Sequence, residues 1–401
     1  EFRQMLDEGW RYWRDFFYVP NLHGNDYVAT KARYLPFVEH VRHRADFTYL
    51  LDMLGAEVAV GHSYVSGGDL PQIPQVRTGL LGADYAIENG RYRIAKIYSG
   101  ESWNPQLAGP LAGPGINVAV GDYILAINGA ELAGSDNIHR RLEGTAGVQT
   151  VLTVNSRPVM EGARQVTVVP TASEQGLRQI DWVEGNRRKV DQLSGGKLAY
   201  VYVPNTGQPG YTFFNRYYFA QQDRPGVIID ERFNGGGSAA DYMIEVMRRE
   251  LYGYFNNAVG SRTPFTTPGA GIWGPKIMII NEMAGSGGDL LPYMFRAAKL
   301  GPLVGKRTWG GLVGTWDTPP LLDGGRMVAP RGGFFDVDGK WAVENQGVAP
   351  DIDVEMTPRE VIAGGDPQLE RAVAEGLRLL KEHPVVLKQE PPPPVKARRP
   401  N

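Results

Sequence analysis

Ser286 stands alone among small residues. In "INEMAGSGGDLLPYMFRAA", residues 280–298, an apolar run ends in a turn with Gly285 before the hydroxyl and Gly287 and Gly288 after it. A serine at such a strand-to-helix bend points away from the sheet, and sharp bending demands small neighbours. The Gly287 N–H then lies near the positive end of a helix dipole, where an oxyanion is stabilised. This is the logic of a nucleophile elbow, written A-G-S-G-G instead of G-x-S-x-G. Asp289 suits a cap of the following helix and Pro292 its first turn. The alternative is a tight turn with no chemistry.

A second cluster repeats the design. "IIDERFNGGGSAADY" reads as a buried strand, three glycines at Gly235, Gly236 and Gly237, then a helix. Successive N–H groups there form a candidate anion nest. A phosphate loop is excluded by the missing Gly-Lys-Ser/Thr ending. Two such loops on neighbouring strands would offer N–H donors to one oxygen from opposite sides.

A nucleophilic serine needs a base. The six histidines are His23, His40, His43, His62, His139 and His383. His40 and His43 fall on a polar helical face, His139 lies in the middle of the chain, and His383 precedes Pro384 at a helix end. His62 follows the apolar "EVAV" and sits beside Gly61. It is the candidate base; the alternative is a hydrogen-bonded core histidine.

The elements that must position these groups change character along the chain. Residues 1–70 read as helical: "FRQMLDEGWRYWRDFFY" has apolar residues at spacings of three and four, and "YLPFVEHVRHR" and "ADFTYLLDML" follow. "EVAVGHSYVSGG" alternates like a short strand. Residues 71–172 are rich in glycine, valine and isoleucine, with one short helix expected at "SDNIHRRLEG", capped by Ser135. Residues 173–386 read as α/β: "KLAYVYV", "GVIIDERF", "KIMIIN" and "LVGKRTW" are short buried strands with helical stretches between them. Catalytic groups in such sheets sit at the carboxyl ends of strands. The tail, residues 387–401, is proline-rich and expected to be extended and disordered.

The totals bound the partners. The chain has 401 residues, with 42 basic and 44 acidic side chains, so no large basic face is implied for nucleic acid or an anionic membrane. There is no cysteine, which excludes disulfides, thiol catalysis and cysteine zinc sites. No apolar run approaches the length of a membrane span. The chain opens at Glu1 without a methionine or a signal-like segment, and is expected to be a fragment or processed product.

Within residues 71–172 the chain resembles a PDZ domain. "VGDYILAINGAEL" matches its G-D-x-I-L-x-I-N-G-x-x-L pattern at Gly121, Asp122, Ile124, Leu125, Ile127, Asn128, Gly129 and Leu132. "TGLLGADY" matches its carboxylate-binding loop, with Gly79, Leu80, Leu81 and Gly82 as the expected peptide-binding turn. The resemblance implies a peptide-docking fold, which takes an added strand and cradles its terminus. A rigid spacer is the alternative.

As a whole, residues 1–386 resemble the carboxyl-terminal half of the tricorn proteases, serine peptidases related to the carboxy-terminal processing proteases. The resemblance implies a multi-domain α+β architecture: a helical N-terminal part, a PDZ-like β domain and a crotonase/ClpP-like α/β catalytic domain. "INEMAGSGGD" then places the nucleophile on Ser286, "GHSYV" the general base on His62, and "DERFNGGG" oxyanion donors on Gly235 or Gly236, beside Gly287. "WAVENQGVAPDIDVE" places the glutamate that supports the histidine on Glu344. The processing proteases use a lysine base, but "GKRTWGGLVG" has Gly311 at that position, so a histidine is needed. A serine usually precedes the family histidine and links it to the glutamate. Here that residue is Gly61, with Ser63 as a possible bridge.

The expectation is thus a serine endopeptidase acting on oligopeptides, with no metal or cofactor. The resemblance further implies a cytoplasmic homo-oligomer, a hexamer, and β-propeller domains missing upstream. No acid stands between Glu250 and Glu282, so a preference for basic residues is not carried over. One alternative is a PDZ-type peptide-binding scaffold with a degenerate protease site. Another is an acyl-transfer or hydratase-like enzyme, since the crotonase fold also uses paired N–H groups.

Overall fold

The structure is a computed structural model that describes residues 1–260 and 262–397. The chain divides into two compact units, residues 72–186 and residues 1–71 together with the described residues from 187 onward. The amino-terminal part holds α1 (Phe2–Phe16), α2 (Tyr27–Tyr34), α3 (Arg44–Ala56) and the two-residue strand β1 (Val65–Ser66). "YLPFVEHVRHR" is a 3-10 turn over Leu35–His40, with Pro36 at its start, and not an α-helix. Most of "EVAVGHSYVSGG" is turn or irregular, with a strand only at Val65–Ser66, and Ala59 at φ 53° breaks the extended run.

Residues 72–186 form an antiparallel sheet of β2 (Ala83–Glu88), β3 (Arg91–Ile97), β4 (Tyr123–Ile127), β5 (Ala130–Glu131), β6 (Thr150–Asn155) and β7 (Arg164–Val168), ordered β2-β3-β4-β6-β7 with β5 on β4. Its core gathers Leu81, Ile94, Ile124, Ile127, Leu132, Ile138 and Leu152. Asn128 (φ 48°) and Gly129 (φ 79°) make the tight β4–β5 turn the sequence predicts. The short helix α4 (Ile138–Arg141) is capped by Asn137, whose side chain accepts from His139 N, and not by Ser135.

The long helix α5 (Gln175–Ser194) leads into the α/β part. This contains β8 (Leu198–Tyr202), α6 (Gln208–Ala220), β9 (Gly226–Asp230), α7 (Ala240–Met247), the hairpin β10 (Gly253–Phe255) and β11 (Phe265–Thr267), β12 (Lys276–Ile280) and α8 (Gly287–Ala297). Beyond these come β13 (Leu303–Gly305), β14 (Arg326–Met327), β15 (Ile352–Asp353), α9 (Pro358–Ile362) and α10 (Pro367–Glu382). A five-stranded parallel sheet runs β15-β13-β12-β9-β8. Every residue of β8, β9, β12 and β13 is buried, which explains why these strands read as unbroken apolar runs without alternation.

Two features carry the helical segment to this sheet. β1 pairs antiparallel with β14, Val65 opposite Met327. One core then joins Trp13, Phe47, Leu51, Leu54, Val58 and Val60 to Val313, Leu321, Met327 and Ala329. The residues after His62 are therefore stitched to a segment that follows β13. The tail up to Lys396 has no regular secondary structure, but Asn256 Nδ2 donates to Glu390 Oε1 at 3.0 Å, so it is held against the β10 hairpin at that point. Among the described residues, no helix is long and apolar enough to cross a membrane.

Candidate active site

Three loops leave the carboxyl ends of adjacent parallel strands β9, β12 and β13, and they build the site. The loop after β12 turns through Ser286 at φ 59°, ψ −117° and enters α8 at once. Positive φ is costly for a residue with a Cβ, about 1–3 kcal/mol, and persists where the surroundings over-determine it. The determinant is Asp289. Its buried carboxylate accepts from Ser286 N (2.9 Å), Thr308 Oγ1 (2.5 Å), Gly310 N (2.8 Å) and Gly311 N (3.0 Å). Asp289 thus caps α8 backward and ties the serine turn to the loop after β13. Burial pushes its pKa up, and these four donors oppose that. Pro292 lies inside α8 and not in its first turn, because the helix already begins at Gly287.

The loop after β9 packs on the serine turn. A Cβ on Gly236 would stand 2.7 Å from Ser286 Cβ and 3.1 Å from Gly287 N. A Cβ on Gly287 would stand 2.0 Å from Thr206 Oγ1 and 2.7 Å from Gly237 N. Only glycine permits this approach. The N–H groups of Gly235 and Gly236, both expected to face an oxyanion, are already engaged: Gly235 N donates to Pro204 O (3.0 Å) and Gly236 N to Asn234 Oδ1 (2.9 Å). The amides without an acceptor among the described residues are those of Gly237 and Gly287. Tertiary contacts had to be seen to separate these four donors.

Below this apposition the carboxyl groups are dry. Glu231 is fully buried; its Oε2 accepts from Asn234 Nδ2 (3.1 Å) and its Oε1 has no partner among the described residues. Burial, with the Asp289 charge nearby, pushes its pKa well above the usual carboxylate range. Arg232 anchors the same loop through buried ion pairs to Asp230 and Asp366.

His62 is buried at 8% exposure, with its ring against Trp309 (centroids 5.2 Å apart) and Tyr64 (5.8 Å). Burial pushes the imidazole pKa below its ordinary value, with the charges of Glu344 and Asp289 acting the other way. His62 Nδ1 has no hydrogen-bond partner among the described residues. Glu344 is held by three backbone amides: Oε1 by Gly61 N (3.2 Å), and Oε2 by Leu312 N and Val313 N (both 2.7 Å). It stands between Val343 at φ 74° and Asn345 at φ 59°, a strained pair for which the sequence carries no signal.

The bridge from Ser63 to Glu344 is not made. Ser63 Oγ is buried, has no partner among the described residues, and lies toward α3, where a Cβ on Gly55 would stand 2.4 Å from it. The residue before the histidine reaches Glu344 through its backbone N–H instead of a hydroxyl. Ser286, Gly236, Gly237 and Gly287 are brought into contact, Gly61 binds Glu344, and Ser63 stays apart.

In residues 72–186, three of the four amides of the expected peptide-binding turn are also taken. Gly79 N donates to Leu142 O (2.8 Å), Leu80 N to Thr171 O (2.8 Å), and Gly82 N to Glu174 Oε1 (2.7 Å). Leu81 is fully buried in the core. The carboxylate on Gly82 is thus the chain's own, and Arg178 holds its other oxygen at 2.7 Å.

These observations describe a serine held at a strand-to-helix turn at the carboxyl edge of a parallel sheet, with two amide donors beside it. Residues 197–354 match Peptidase family S41. Residues 1–55 match the tricorn protease C1 domain and residues 79–173 the tricorn protease PDZ domain. Tricorn protease homolog 1 of Streptomyces coelicolor is 35% identical over 96% of this chain and 36% of its own length. The tricorn protease of Thermoplasma acidophilum is 31% identical over 98% of this chain and 36% of its own length. A crystal structure of the tricorn protease superposes with a TM-score of 0.89 at 30% identity, covering 95% of this chain and 37% of that one. The chain is similar to the tricorn proteases over almost its whole length and spans about a third of the length of these relatives.

Proposed function

We propose that this chain carries the active site of a serine endopeptidase that cleaves oligopeptides. The observation that carries the reading is Ser286. It is held at positive φ at the start of α8, against a glycine loop, with the unbonded amides of Gly237 and Gly287 beside it. Ser286 Oγ attacks the scissile carbonyl carbon, and its proton passes to His62. The tetrahedral oxyanion is met by the N–H groups of Gly287 and Gly237, each such donor contributing about 3 kcal/mol. His62 then returns the proton to the leaving amine, and water hydrolyses the acyl-enzyme by the same route in reverse. The Glu344 charge stabilises the imidazolium through space, its oxygens being hydrogen-bonded to the backbone amides of Gly61, Leu312 and Val313.

Oligopeptides are the substrate class because the relatives that this chain matches over almost its whole length are named proteases. We extend the proposal to a cytoplasmic homo-oligomer, as the resemblance to the tricorn proteases implies. The test is a fluorophosphonate probe followed by mapping of the adduct. It is expected on Ser286, with Ser286→Ala folded and unlabelled. Labelling elsewhere, or peptide turnover unchanged in Ser286→Ala, overturns the assignment.

A further inference from the structure

We infer that Trp309 is the positioning residue for His62, orienting the imidazole by packing in place of a hydrogen bond on Nδ1. The inference rests on reading His62 as the general base. In a hydrolytic triad the base is ordinarily held by an acceptor on its distal ring nitrogen. Among the described residues Nδ1 has no partner, and the Glu344 carboxylate that could serve it is hydrogen-bonded to the Gly61, Leu312 and Val313 amides and not to the ring. Two aromatic rings pack against the imidazole, Tyr64 and Trp309.

Trp309 is built to hold a position. Its backbone N–H donates to Ala284 O at 2.9 Å, inside the serine turn. The residues on both sides of it, Thr308 and Gly310, donate to Asp289, which also binds Ser286 N. Its indole lies in a cradle of three glycines from three separate segments. A Cβ on Gly61 would stand 2.8 Å from Cζ2, one on Gly285 2.6 Å from Cε3, and one on Gly311 2.2 Å from Cζ3. The indole therefore touches the residue before the base and the residue before the nucleophile at once. This also gives Gly61 a physical reason: a side chain there would meet the indole. Trp309 keeps 46% of its surface exposed, so it is not a core residue on which folding depends.

The test measures the rate of fluorophosphonate labelling of Ser286 across the pH range in which histidine titrates, in the wild-type chain and in Trp309→Ala, Trp309→Phe and His62→Ala. Trp309→Ala is expected to slow labelling about 10–100-fold, the effect of a small misplacement of a reacting group. It should also move the acid limb to higher pH. The indole no longer shields the ring, and the charges facing it, Glu344 and Asp289, then raise its pKa. Trp309→Phe, which keeps an aromatic face, should recover most of the rate and the wild-type limb. Wild-type rate and an unmoved limb in Trp309→Ala overturn the inference. So does slowing by the same factor at every pH without rescue by phenylalanine, which would make Trp309 only a wall of the cleft. If His62→Ala is labelled at the wild-type rate, the fault lies in the choice of base. If the wild-type chain takes no label while a control serine protease does, the inference falls together with the proposed function.

Discussion

Two glycine turns in this molecule look alike in sequence and end in opposite states. The turn at residues 79–82 leads into β2, and the loop at 235–237 leaves β9 for a helix; both are anion-nest patterns. In the first, Gly79, Leu80 and Gly82 all donate to the chain's own oxygens, and Glu174 supplies a carboxylate to Gly82. In the second, two donors are spent on Pro204 and Asn234, while Gly237 and the facing Gly287 keep theirs. A glycine-rich turn makes donors available; what packs around it decides whether they remain so. The first turn spends most of its donors on the chain itself, and the second leaves a donor for the proposed oxyanion.

The sharpest way to break the comparison is Ser286→Gly. It removes the nucleophile and relieves the positive φ. Acylation should fall by on the order of 10⁶-fold, while melting rises by the equivalent of about 1 kcal/mol. A variant that melts lower would show that the elbow is not strained.

Gly287→Ala comes next. Its Cβ would collide with Thr206 Oγ1 and Gly237 O, at 2.0 and 2.3 Å, and spread the two amides. Labelling of Ser286 should drop about 10²–10³-fold, the cost of losing an oxyanion donor. Wild-type labelling would move the oxyanion elsewhere.

Glu174→Ala opens the closed turn. Gly82 N loses its buried acceptor and Arg178 one of its two carboxylate partners, so the variant should be less stable by about 1–3 kcal/mol in chemical denaturation. Binding of a peptide with a free carboxyl terminus, read by calorimetry, is expected only in this variant. Equal binding by the wild-type chain would show that the turn is not closed.

The pH profile reads the proposed base. As that base, His62 must be neutral to accept the serine proton. Burial holds its folded pKa below the unfolded value, so the acid limb of kcat/KM should lie below about 6.5, the ordinary histidine value. The linkage has the matching sign. Stability from keeping His62 neutral is fully present above the unfolded pKa and is lost as pH falls toward the folded one. A limb above the ordinary value would mean that Glu344, and not burial, governs the ring.

Thr206→Val should do least. Thr206 Oγ1 is buried without a partner among the described residues, so its loss should change stability by less than about 0.5 kcal/mol. A large fall in kcat with unchanged stability would instead make this hydroxyl a third donor to the open site.

The chain's own letters determined a good deal. The unbroken apolar runs identified the parallel strands, because strands buried on both faces need no alternation. The Asn128-Gly129 turn fixed a hairpin, because both residues tolerate positive φ. Small residues around Ser286 marked the elbow, since the bend excludes side chains wherever it occurs. These are local constraints, and local constraints leave a trace in local composition. Tertiary structure alone decided which N–H groups stay free, that Ser63 faces α3, and that Glu344 is satisfied by amides more than thirty residues away in sequence at Leu312 and Val313. It alone showed that Gly61, Gly285 and Gly311 are vacant for one indole. Hydrogen-bond partners and shared space are relations between distant segments, and no single stretch of sequence holds both members of the pair.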